Sequence, residues 1–337
     1  MLRIERNVKE VAVDRPGQLP AAVHESSEPL ILRGLVRHWP IVRAAEDSPS
    51  AVETYLRGFY KGATVNAVYG ESGHRGRLFY NEDLSDFNFQ AVPARLDKVL
   101  DDIRRQSHAD DLAGVYMGST SVDAVLPGFR SENDIELEGF DPLVFIWMGN
   151  RSRIAAHYDL PDNIACCAAG RRRFTLFPPG EIANLYPGPI DFTPAGQTIS
   201  MVDFEEPDFE RFPRFRKAVE QAQLAELEPG DAIFIPSMWW HHVEGQNDLN
   251  VLVNYWWRPV PAYMDTPANV LEYALLAMRD LPTKEREAWR AIFDFYVFDF
   301  EEESVGHIPE DRRGVLAPMT DSLARRLRAQ LLKKLNR

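Results

Sequence analysis

The chain has 337 residues, of which 45% are hydrophobic and 26% are charged, and its formal net charge at pH 7 is −13. This is the composition of a globular protein with ample length for a large core. The negative charge argues against a nucleic-acid backbone as the main partner, because proteins that bind one usually carry a basic face. There is no run of about 18 apolar residues, so no membrane span is predicted.

Cysteine usage and the first residues predict a cytoplasmic protein. The two cysteines, Cys166 and Cys167, are adjacent and stand in an apolar run. Their number and placement exclude a disulfide framework and fit a reducing compartment. We expect both to pack in the core as small apolar side chains. The N-terminus carries charges where a secretory signal needs an apolar segment, so no signal peptide is expected.

Residues 1–110 are predicted to form an N-terminal region of mixed α and β structure that packs on a core. The stretches with strand character are Pro29–Arg33, Ala63–Tyr69 and Arg75–Tyr80, and those with helical spacing are Ser48–Tyr60 and Leu96–Gln106. In the helical stretches apolar residues recur at intervals of three and four, which is the signature of one buried helix face. Strand character returns at Leu112–Met117, where the core is expected to begin.

Residues 111–260 predict that β-rich core. Short apolar runs alternate with glycine, proline and asparagine at 143–148, 164–169, 174–177, 232–235 and 250–257. Several short strands at this spacing predict a sandwich or a barrel. Pro229 and Gly230 stand where a type II turn needs them. The stretch 181–223 differs from the rest because it is loop-like and long enough to be a lid or a binding insert.

Residues 261–337 predict a helical region. Thr266 and Pro267 have the form of an N-cap followed by proline at the first helical position. Thr283 is expected to cap a second helix, and Ser322–Leu335 carries leucines along one stripe of a third. One interpretation is a helical subdomain that packs on the sheet. The other is a homodimer interface, because a terminal apolar stripe must be covered.

A candidate metal site begins at His157 and Asp159, which follow an apolar run. On a β-strand, residues two apart point to the same face, so both side chains can reach one ion. His-x-Asp alone is a weak signal, and the alternative is a polar turn at the surface. His241 offers a second imidazole beside two tryptophans, where a buried ring needs partners for both nitrogens. Two histidines and one carboxylate form the facial triad of non-haem Fe(II) and oxygen chemistry.

The sequence around these residues resembles that of one family, segment by segment and in order. The segments are His157-Tyr-Asp159, Gly170-Arg-Arg-Arg-Phe-Thr-Leu-Phe-Pro-Pro179, Val202-Asp-Phe204, Pro229-Gly-Asp231, Ile235-Pro-Ser-Met-Trp-Trp-His-His242 and Val253-Asn-Tyr-Trp256. They are similar to the JmjC-type, cupin-like 2-oxoglutarate-dependent oxygenases, among them the asparaginyl hydroxylase that inhibits hypoxia-inducible factor. The resemblance extends from Leu143 to Arg258 and, more loosely, upstream.

This resemblance implies a mainly β fold with flanking helices and a double-stranded β-helix (jelly-roll) core. It implies His157, Asp159 and His241 as Fe(II) ligands, with His242 as a neighbour that does not bind the metal. It also implies 2-oxoglutarate as cosubstrate, with Arg172 at the position that binds the distal carboxylate. The asparaginyl hydroxylase has lysine there, but a guanidinium holds a carboxylate with two parallel hydrogen bonds.

Other residues match further positions around the cosubstrate in the family. Arg171 and Arg173 flank Arg172 and should point the opposite way on a strand; the alternative for the three arginines is a solvated basic turn. Asn163 and Asn254 match residues that hydrogen-bond near the cosubstrate and the iron, and Tyr116 matches, more loosely, a tyrosine on the distal carboxylate. A polar side chain in an apolar strand is costly unless paired, so Asn254 either faces the site or makes a structural hydrogen bond. Ile154 replaces a threonine, which removes one cosubstrate hydrogen bond.

The hypothesis from sequence is therefore an Fe(II)- and 2-oxoglutarate-dependent dioxygenase that hydroxylates a protein side chain or a small molecule and releases succinate and carbon dioxide. The substrate stays open, because Thr198, Ile199, Ser200 and Met201 stand where the asparaginyl hydroxylase grips its peptide with polar side chains. Histone demethylation is less favoured. The alternative is a non-oxidising cupin module that binds a metal or a ligand, since fold does not fix function. Such a module has no reason to direct Arg172 at the metal.

Overall fold

Two packed β-sheets form the core of residues 1–258 in a computed structural model, which describes residues 2–106, 113–137, 139–194 and 196–336. The chain divides into two units, Met1–Arg258 and Pro259–Arg337. All strands found in the described residues belong to the first unit. They are β1 (Arg6–Asn7), β2 (Lys9–Val11), β3 (Leu30–Leu32), β4 (Thr64–Gly70), β5 (Arg77–Leu78), β6 (Phe89–Arg95), β7 (Val115–Ser121), β8 (Leu143–Gly149), β9 (Ser152–His157), β10 (Asp162–Ala169), β11 (Arg172–Phe177), β12 (Gln223–Leu227), β13 (Ala232–Ile235), β14 (Trp240–Gly245) and β15 (Asn250–Trp257).

Within the described residues, one sheet has six strands in the order β1-β12-β11-β14-β9-β5, and the other has nine in the order β2-β3-β13-β10-β15-β8-β7-β4-β6. An apolar cluster joins their inner faces: Phe174 and Leu176 from β11 pack with Ala165 and Cys167 from β10 and with Ile233 from β13. Side chains from two facing sheets interdigitate in this way in a β-sandwich. The mainly β class and the two-sheet core expected of a jelly roll are confirmed.

The helices of the first unit are α1 (Ala22–Glu25), α2 (Pro40–Asp47), α3 (Pro49–Phe59), α4 (Leu96–Gln106), α5 (Val122–Val125) and α6 (Phe215–Gln221). A second apolar cluster includes Ile41 of α2, Leu56 of α3 and Leu100 of α4 together with Ile146 and Ile164 of the nine-stranded sheet. The sheet is thus buried on both faces, which explains why β8, β10 and β15 read as continuous apolar runs rather than as alternating ones. Cys166 and Cys167 are fully buried and unpaired, as expected for core side chains.

Several local predictions hold and others were wrong. Gly230 has a φ of +99°, and Asp231 N–H donates to the Glu228 carbonyl oxygen at 3.0 Å, as a type II turn requires. The stretch 181–223 is not all loop, because it contains α6 and the first residue of β12. The edge strand β6 was missed. The boundary predicted between residues 110 and 111 falls in 107–112, outside the described residues, so the division of the first unit stays a prediction.

The second unit is helical, with α7 (Pro267–Ala277), α8 (Thr283–Phe293) and α9 (Asp321–Leu335). The Thr266 side chain caps α7 by accepting from the Ala268 N–H, as predicted. Thr283 does not cap α8: it is the first residue of that helix, and Pro282 holds the N-cap position. No helix among the described residues is long and apolar enough to cross a membrane.

Candidate metal and cosubstrate site

The side chains of His157, Asp159 and His241 converge where the end of one strand lies beside the start of its neighbour. One ligand atom from each of them lies within 4.8 Å of those of the other two. His157 ends β9 and lies directly opposite His241 of β14 in the strand register, which brings the two ring centroids to 4.4 Å. The Asp159 Oδ2 atom lies 3.5 Å from the His241 Nε2 atom. The strand ladder itself therefore places the two imidazoles side by side.

The loop that carries Asp159 is tied to the turn before β14. The Met238 N–H donates to the Asp159 carbonyl oxygen at 2.9 Å, and the Ser237 N–H donates to the Asp162 carboxylate at 2.8 Å. The Ser237 hydroxyl donates to the Leu160 carbonyl oxygen at 2.7 Å. Met238 has a φ of +68°, a left-handed conformation that is uncommon for a residue other than glycine. The two loops thus fix each other and hold the carboxylate beside the imidazoles.

Both imidazoles present Nε2 to the site. The His157 Nδ1 atom lies 2.9 Å from the Ala155 carbonyl oxygen, and the His241 Nδ1 atom lies 3.0 Å from the Trp239 carbonyl oxygen. A carbonyl only accepts, so Nδ1 carries a hydrogen in each ring, and Nε2 is the atom whose lone pair can bind a metal. Burial, with His241 nearby, lowers the pKa of His157 to about 4. Burial opposes ionisation of Asp159, but the neighbouring His241 imidazole, when it is protonated, outweighs burial and lowers that pKa. Two imidazoles that offer Nε2 and one carboxylate are a donor set that fits Fe(II).

A cavity of about 290 Å³ opens beside this triad. All seven residues singled out from the sequence line it: His157, Asp159, His241, Arg172, Asn163, Tyr116 and Asn254. They come from six strands of the two sheets and from one loop, which explains why they are far apart in the sequence. Whether each performs its predicted role stays a prediction, but the structure brings all of them together.

Arg172 is the second charged feature of the cavity. It is only 2% exposed, and its Nε atom has no hydrogen-bond partner in the described part of the chain. The Tyr116 hydroxyl lies close enough to the Arg172 guanidinium for the two to interact electrostatically. The neighbours of Arg172 point outward: Arg171 pairs with Glu228 at 2.8 Å, and Arg173 pairs with Glu226 at 2.6 Å. A buried guanidinium that pairs with no carboxylate of the described residues is costly, and an anionic ligand would complete it.

The cavity wall also contains residues outside the predicted metal and cosubstrate set; of these, only Trp256 was expected from the sequence as a wall residue. Trp147 and Trp256 line the cavity, as do Asn66, Phe89 and Ser119. The Trp147 Nε1–H donates to the Asn254 Oδ1 atom at 2.8 Å, whereas the Trp256 Nε1 atom has no partner among the described residues. The one signal in the sequence for Trp147 was its place in an apolar strand, two residues from Phe145 and so on the same face.

The remaining sequence expectations concern residues around the cavity. Ile154 lines it and offers no hydrogen bond to a ligand. Ile199 of the 181–223 stretch lines it as well, while the hydroxyls beside it bond within that stretch: Thr198 to the Gly188 carbonyl oxygen at 3.0 Å and Ser200 to the Leu185 carbonyl oxygen at 2.6 Å. His242 does not line the cavity; its ring packs on Phe204 with centroids 4.7 Å apart.

Comparison with known families matches residues 16–263 of the chain to the model of the cupin-like domain. This range contains every residue of the triad and of the cavity wall named above. The match confirms the family resemblance drawn from the sequence. The likeness to the asparaginyl hydroxylase in particular is not tested by it.

The curated proteins to which this chain is similar have names that describe different roles. The chain is 36% identical to "Lysine-specific demethylase JMJ31" of Arabidopsis thaliana over 126 residues, which are 36% of this chain and 22% of that protein. It is 31% identical to "tRNA wybutosine-synthesizing protein 5" of Gallus gallus over 167 residues, 45% of this chain and 49% of that protein. It is 35% identical to human "HSPB1-associated protein 1" over 113 residues, 33% of this chain and 22% of that protein. The chain thus spans half or less of the length of these relatives.

Proposed function

The chain belongs to the cupin-like domain family, and from this premise and the geometry of its cavity we propose that it is an Fe(II)- and 2-oxoglutarate-dependent oxygenase. The observation that carries the proposal is the pairing of two features in one cavity. The His157, Asp159 and His241 triad is suited to a metal with open coordination positions. Arg172 is a buried cation without a carboxylate partner among the described residues, and it lines the same cavity.

The residues of the chain have separate tasks in this proposal. The triad would hold Fe(II) through the two Nε2 atoms and the Asp159 carboxylate. Arg172 and the Tyr116 hydroxyl would hold the distal carboxylate of 2-oxoglutarate, since a guanidinium binds a carboxylate with strong, directional hydrogen bonds. When bound, the iron and 2-oxoglutarate supply the oxidising chemistry. The protein positions them and shields them from water.

We propose further that the reaction is a hydroxylation, with succinate and carbon dioxide as coproducts. The cavity volume of about 290 Å³ lies at the lower end of the ~300–1,000 Å³ typical of pockets for drug-sized ligands. Once the cosubstrate is bound, the remaining space suits a protein side chain or a small molecule rather than a large one. The names of two relatives mention lysine demethylation and tRNA modification, so modified lysine and tRNA join the candidate substrates.

The charges of the lining help to rank these candidates. Apart from the triad and Arg172, the described residues that line the cavity are uncharged, so there is no acidic side chain to pair with a cationic substrate group. The chain as a whole is acidic, which disfavours nucleic acid. We therefore place a neutral protein side chain or a neutral small molecule ahead of lysine and tRNA, and we keep the cytoplasm as the proposed compartment.

The test is a screen for succinate release with purified protein, Fe(II), 2-oxoglutarate, oxygen and candidate peptides or metabolites. A true substrate should raise succinate formation and gain the mass of one oxygen atom. The control is His157→Ala, which should abolish both signals. A protein that binds a metal but neither binds nor consumes 2-oxoglutarate would instead support the alternative of a non-oxidising cupin module.

A further inference from the structure

We propose that Trp147 is a positioning residue that fixes the orientation of two asparagine amides, so that the cavity presents N–H donors to an anionic ligand. This inference rests on the proposed function, because the anion it concerns is 2-oxoglutarate. It adds a role for a residue outside the metal triad and outside Arg172. The relevant side chains are Trp147, Asn254 and Asn163, referred to below as the amide relay.

The amide relay runs across three adjacent strands, β8, β15 and β10. Asn254 lies opposite Phe145 on one side and opposite Ala165 on the other, and Asn163 lies opposite Trp256. Side chains two residues apart share a face of a strand, so all three members of the relay face the cavity. Asn163 and Asn254 are 5% and 2% exposed, which means that water does not satisfy their polar atoms from outside.

The donor and the acceptor of each hydrogen bond in the amide relay follow from the indole of Trp147. An indole N–H can only donate. The Trp147 Nε1–H lies 2.8 Å from one polar atom of the Asn254 amide, which must therefore be the oxygen. The Asn254 amide then turns its nitrogen toward Asn163, where it lies 3.4 Å from the Asn163 Oδ1 atom. This leaves the Asn163 amide N–H groups directed away from Asn254, without a partner among the described residues of the protein.

This polarity decides what the cavity favours. Asn163 lines the cavity together with Arg172. With the relay intact, the amide offers donors to a carboxylate. If the two amides rotated by 180°, Asn163 would offer its oxygen instead and repel the same carboxylate. Nothing intrinsic to an asparagine side chain distinguishes the two orientations, so the donor-only indole makes the choice.

The indole is itself held in place by close packing. A Cβ atom added at Gly118 would lie 2.9 Å from the Trp147 ring, so only glycine leaves room for it. Tyr116 and Trp256 pack against it, with ring centroids 6.3 Å and 6.0 Å away. Gly118 lies where β7 changes register against β8, between Met117 and Thr120. Bulges of this kind often redirect side chains beside active sites.

The experiment is a double-mutant cycle on cosubstrate affinity. The Fe(II) protein without oxygen is titrated with 2-oxoglutarate, and binding is followed by calorimetry and by the visible absorption of the complex. Trp147→Phe removes the N–H and keeps an aromatic ring; we expect it to weaken 2-oxoglutarate binding by about tenfold, the scale of one lost hydrogen bond in a buried site. In an Asn254→Ala background the indole has no amide to orient, so the same substitution should have no further effect on affinity.

Trp257→Phe is the matched control for packing loss. Trp257 is on the same strand as Asn254, but it packs on Phe140 and Phe234 in the other apolar cluster. The Trp257→Phe substitution should lower the midpoint of thermal unfolding without changing the affinity for 2-oxoglutarate. Unchanged affinity in Trp147→Phe, or an equal loss in the Asn254→Ala background, would overturn the relay. Absence of 2-oxoglutarate binding in the wild-type protein would instead overturn the proposed function.

Discussion

At the scale of single residues, the site is defined by which polar atoms are satisfied and which are left over. The histidines commit Nδ1 to backbone carbonyls and keep Nε2 for the site. The Arg172 guanidinium is buried, and its Nε atom has no partner in the part of the chain that the structure describes, whereas its neighbours Arg171 and Arg173 make ion pairs near the surface. Buried polar groups without a hydrogen-bond partner are rare in proteins, so those that line the cavity indicate the kind of ligand that it binds.

Arg172→Met tests the proposed carboxylate contact. Methionine keeps much of the volume but loses the charge and every donor, so we expect the KM for 2-oxoglutarate to rise by roughly 10- to 100-fold, the range of a lost charge-assisted hydrogen bond. Arg172→Lys should recover part of this loss, because it keeps the charge without the planar fork. The measurement is succinate formation as a function of 2-oxoglutarate concentration. Equal KM values in the wild type and Arg172→Met would remove the residue from the cosubstrate site.

His242 provides a pH prediction that is independent of catalysis. Burial, with Arg153 nearby, lowers the pKa of His242 to about 3, and burial lowers that of His157 to about 4, both from an ordinary value of 6.5. As the pH falls below 6.5 the unfolded chain takes up protons that the folded chain does not, so the free energy of unfolding decreases. At pH 5 the loss is about 2 kcal/mol for each such histidine.

The check is urea unfolding of the metal-free protein at pH 7 and pH 5. His242→Phe, whose ring would still pack on Phe204, should lose less stability on acidification than the wild type does. His307→Gln, at an exposed position, is the control and should behave as the wild type. An identical pH dependence in His242→Phe would mean that this histidine titrates freely in the folded protein.

At the scale of secondary structure elements, a cluster of ion pairs holds the stretch 181–223 against the six-stranded sheet. Asp203 lies 3.2 Å from the Arg77 guanidinium of β5 and 3.1 Å from the Arg153 guanidinium of β9. Glu205 pairs with Arg153 at 2.6 Å. Removal of one partner leaves half-buried cations uncompensated, which costs more than the pair itself contributes. Because Ile199 of this stretch lines the cavity, the cluster also supports one wall of the site.

Asp203→Ala is therefore expected to loosen the 181–223 stretch, with a loss of about 2 kcal/mol in the free energy of local opening. The readout is hydrogen exchange of the backbone amides between Ile199 and Phe215, compared with those of the sheet strands. Glu206→Ala is the matched control, since the Glu206 side chain is 75% exposed and its pair with Arg75 is at the surface. Equal protection of this stretch in Asp203→Ala and in the wild type would contradict a fastening role.

The elements that could be predicted from sequence are those whose pattern is set by burial. Leu96–Gln106 was predicted to the residue because its apolar side chains recur at helical spacing and face the core. The edge strand β6 was missed because most of its residues are exposed and Pro93 interrupts it, so no alternation is visible. The seven-residue α6 is too short for a period to emerge. In the site, the residues within or next to a motif could be identified from the sequence. Trp147 could not, because its place at the cavity depends on a strand register that only the sheet reveals.

At the scale of the whole molecule, the second unit has few buried side chains for its size. Among its described residues, 259–336, only Val305, Leu323 and Ala324 are buried. Large apolar side chains are exposed along its helices, with Leu276 of α7 at 81% and Phe298 at 73%. Apolar surface on this scale marks an interaction site. We propose that a second copy of the chain covers it, which makes the protein a homodimer through its C-terminal helices.

Light scattering coupled to size-exclusion chromatography tests this proposal. The wild type should have the mass of two chains, and the double variant Leu276→Glu/Phe298→Asp should shift to one, because two charges would have to be buried at the interface. Leu84→Glu, at an exposed leucine of the first unit, is the control and should remain dimeric. A wild type that stays monomeric at tens of micromolar concentration would contradict the homodimer.

The most direct test of the proposed oxygenase is the binding of 2-oxoglutarate to the Fe(II) protein in the absence of oxygen. Chelation of the metal by the cosubstrate should produce a weak visible charge-transfer band that saturates at one 2-oxoglutarate per chain. The band should be absent in His241→Ala, which lacks one of the two imidazoles. A wild-type protein that binds iron but shows neither the band nor stoichiometric 2-oxoglutarate binding would contradict the assignment of this cavity as an Fe(II) and 2-oxoglutarate site.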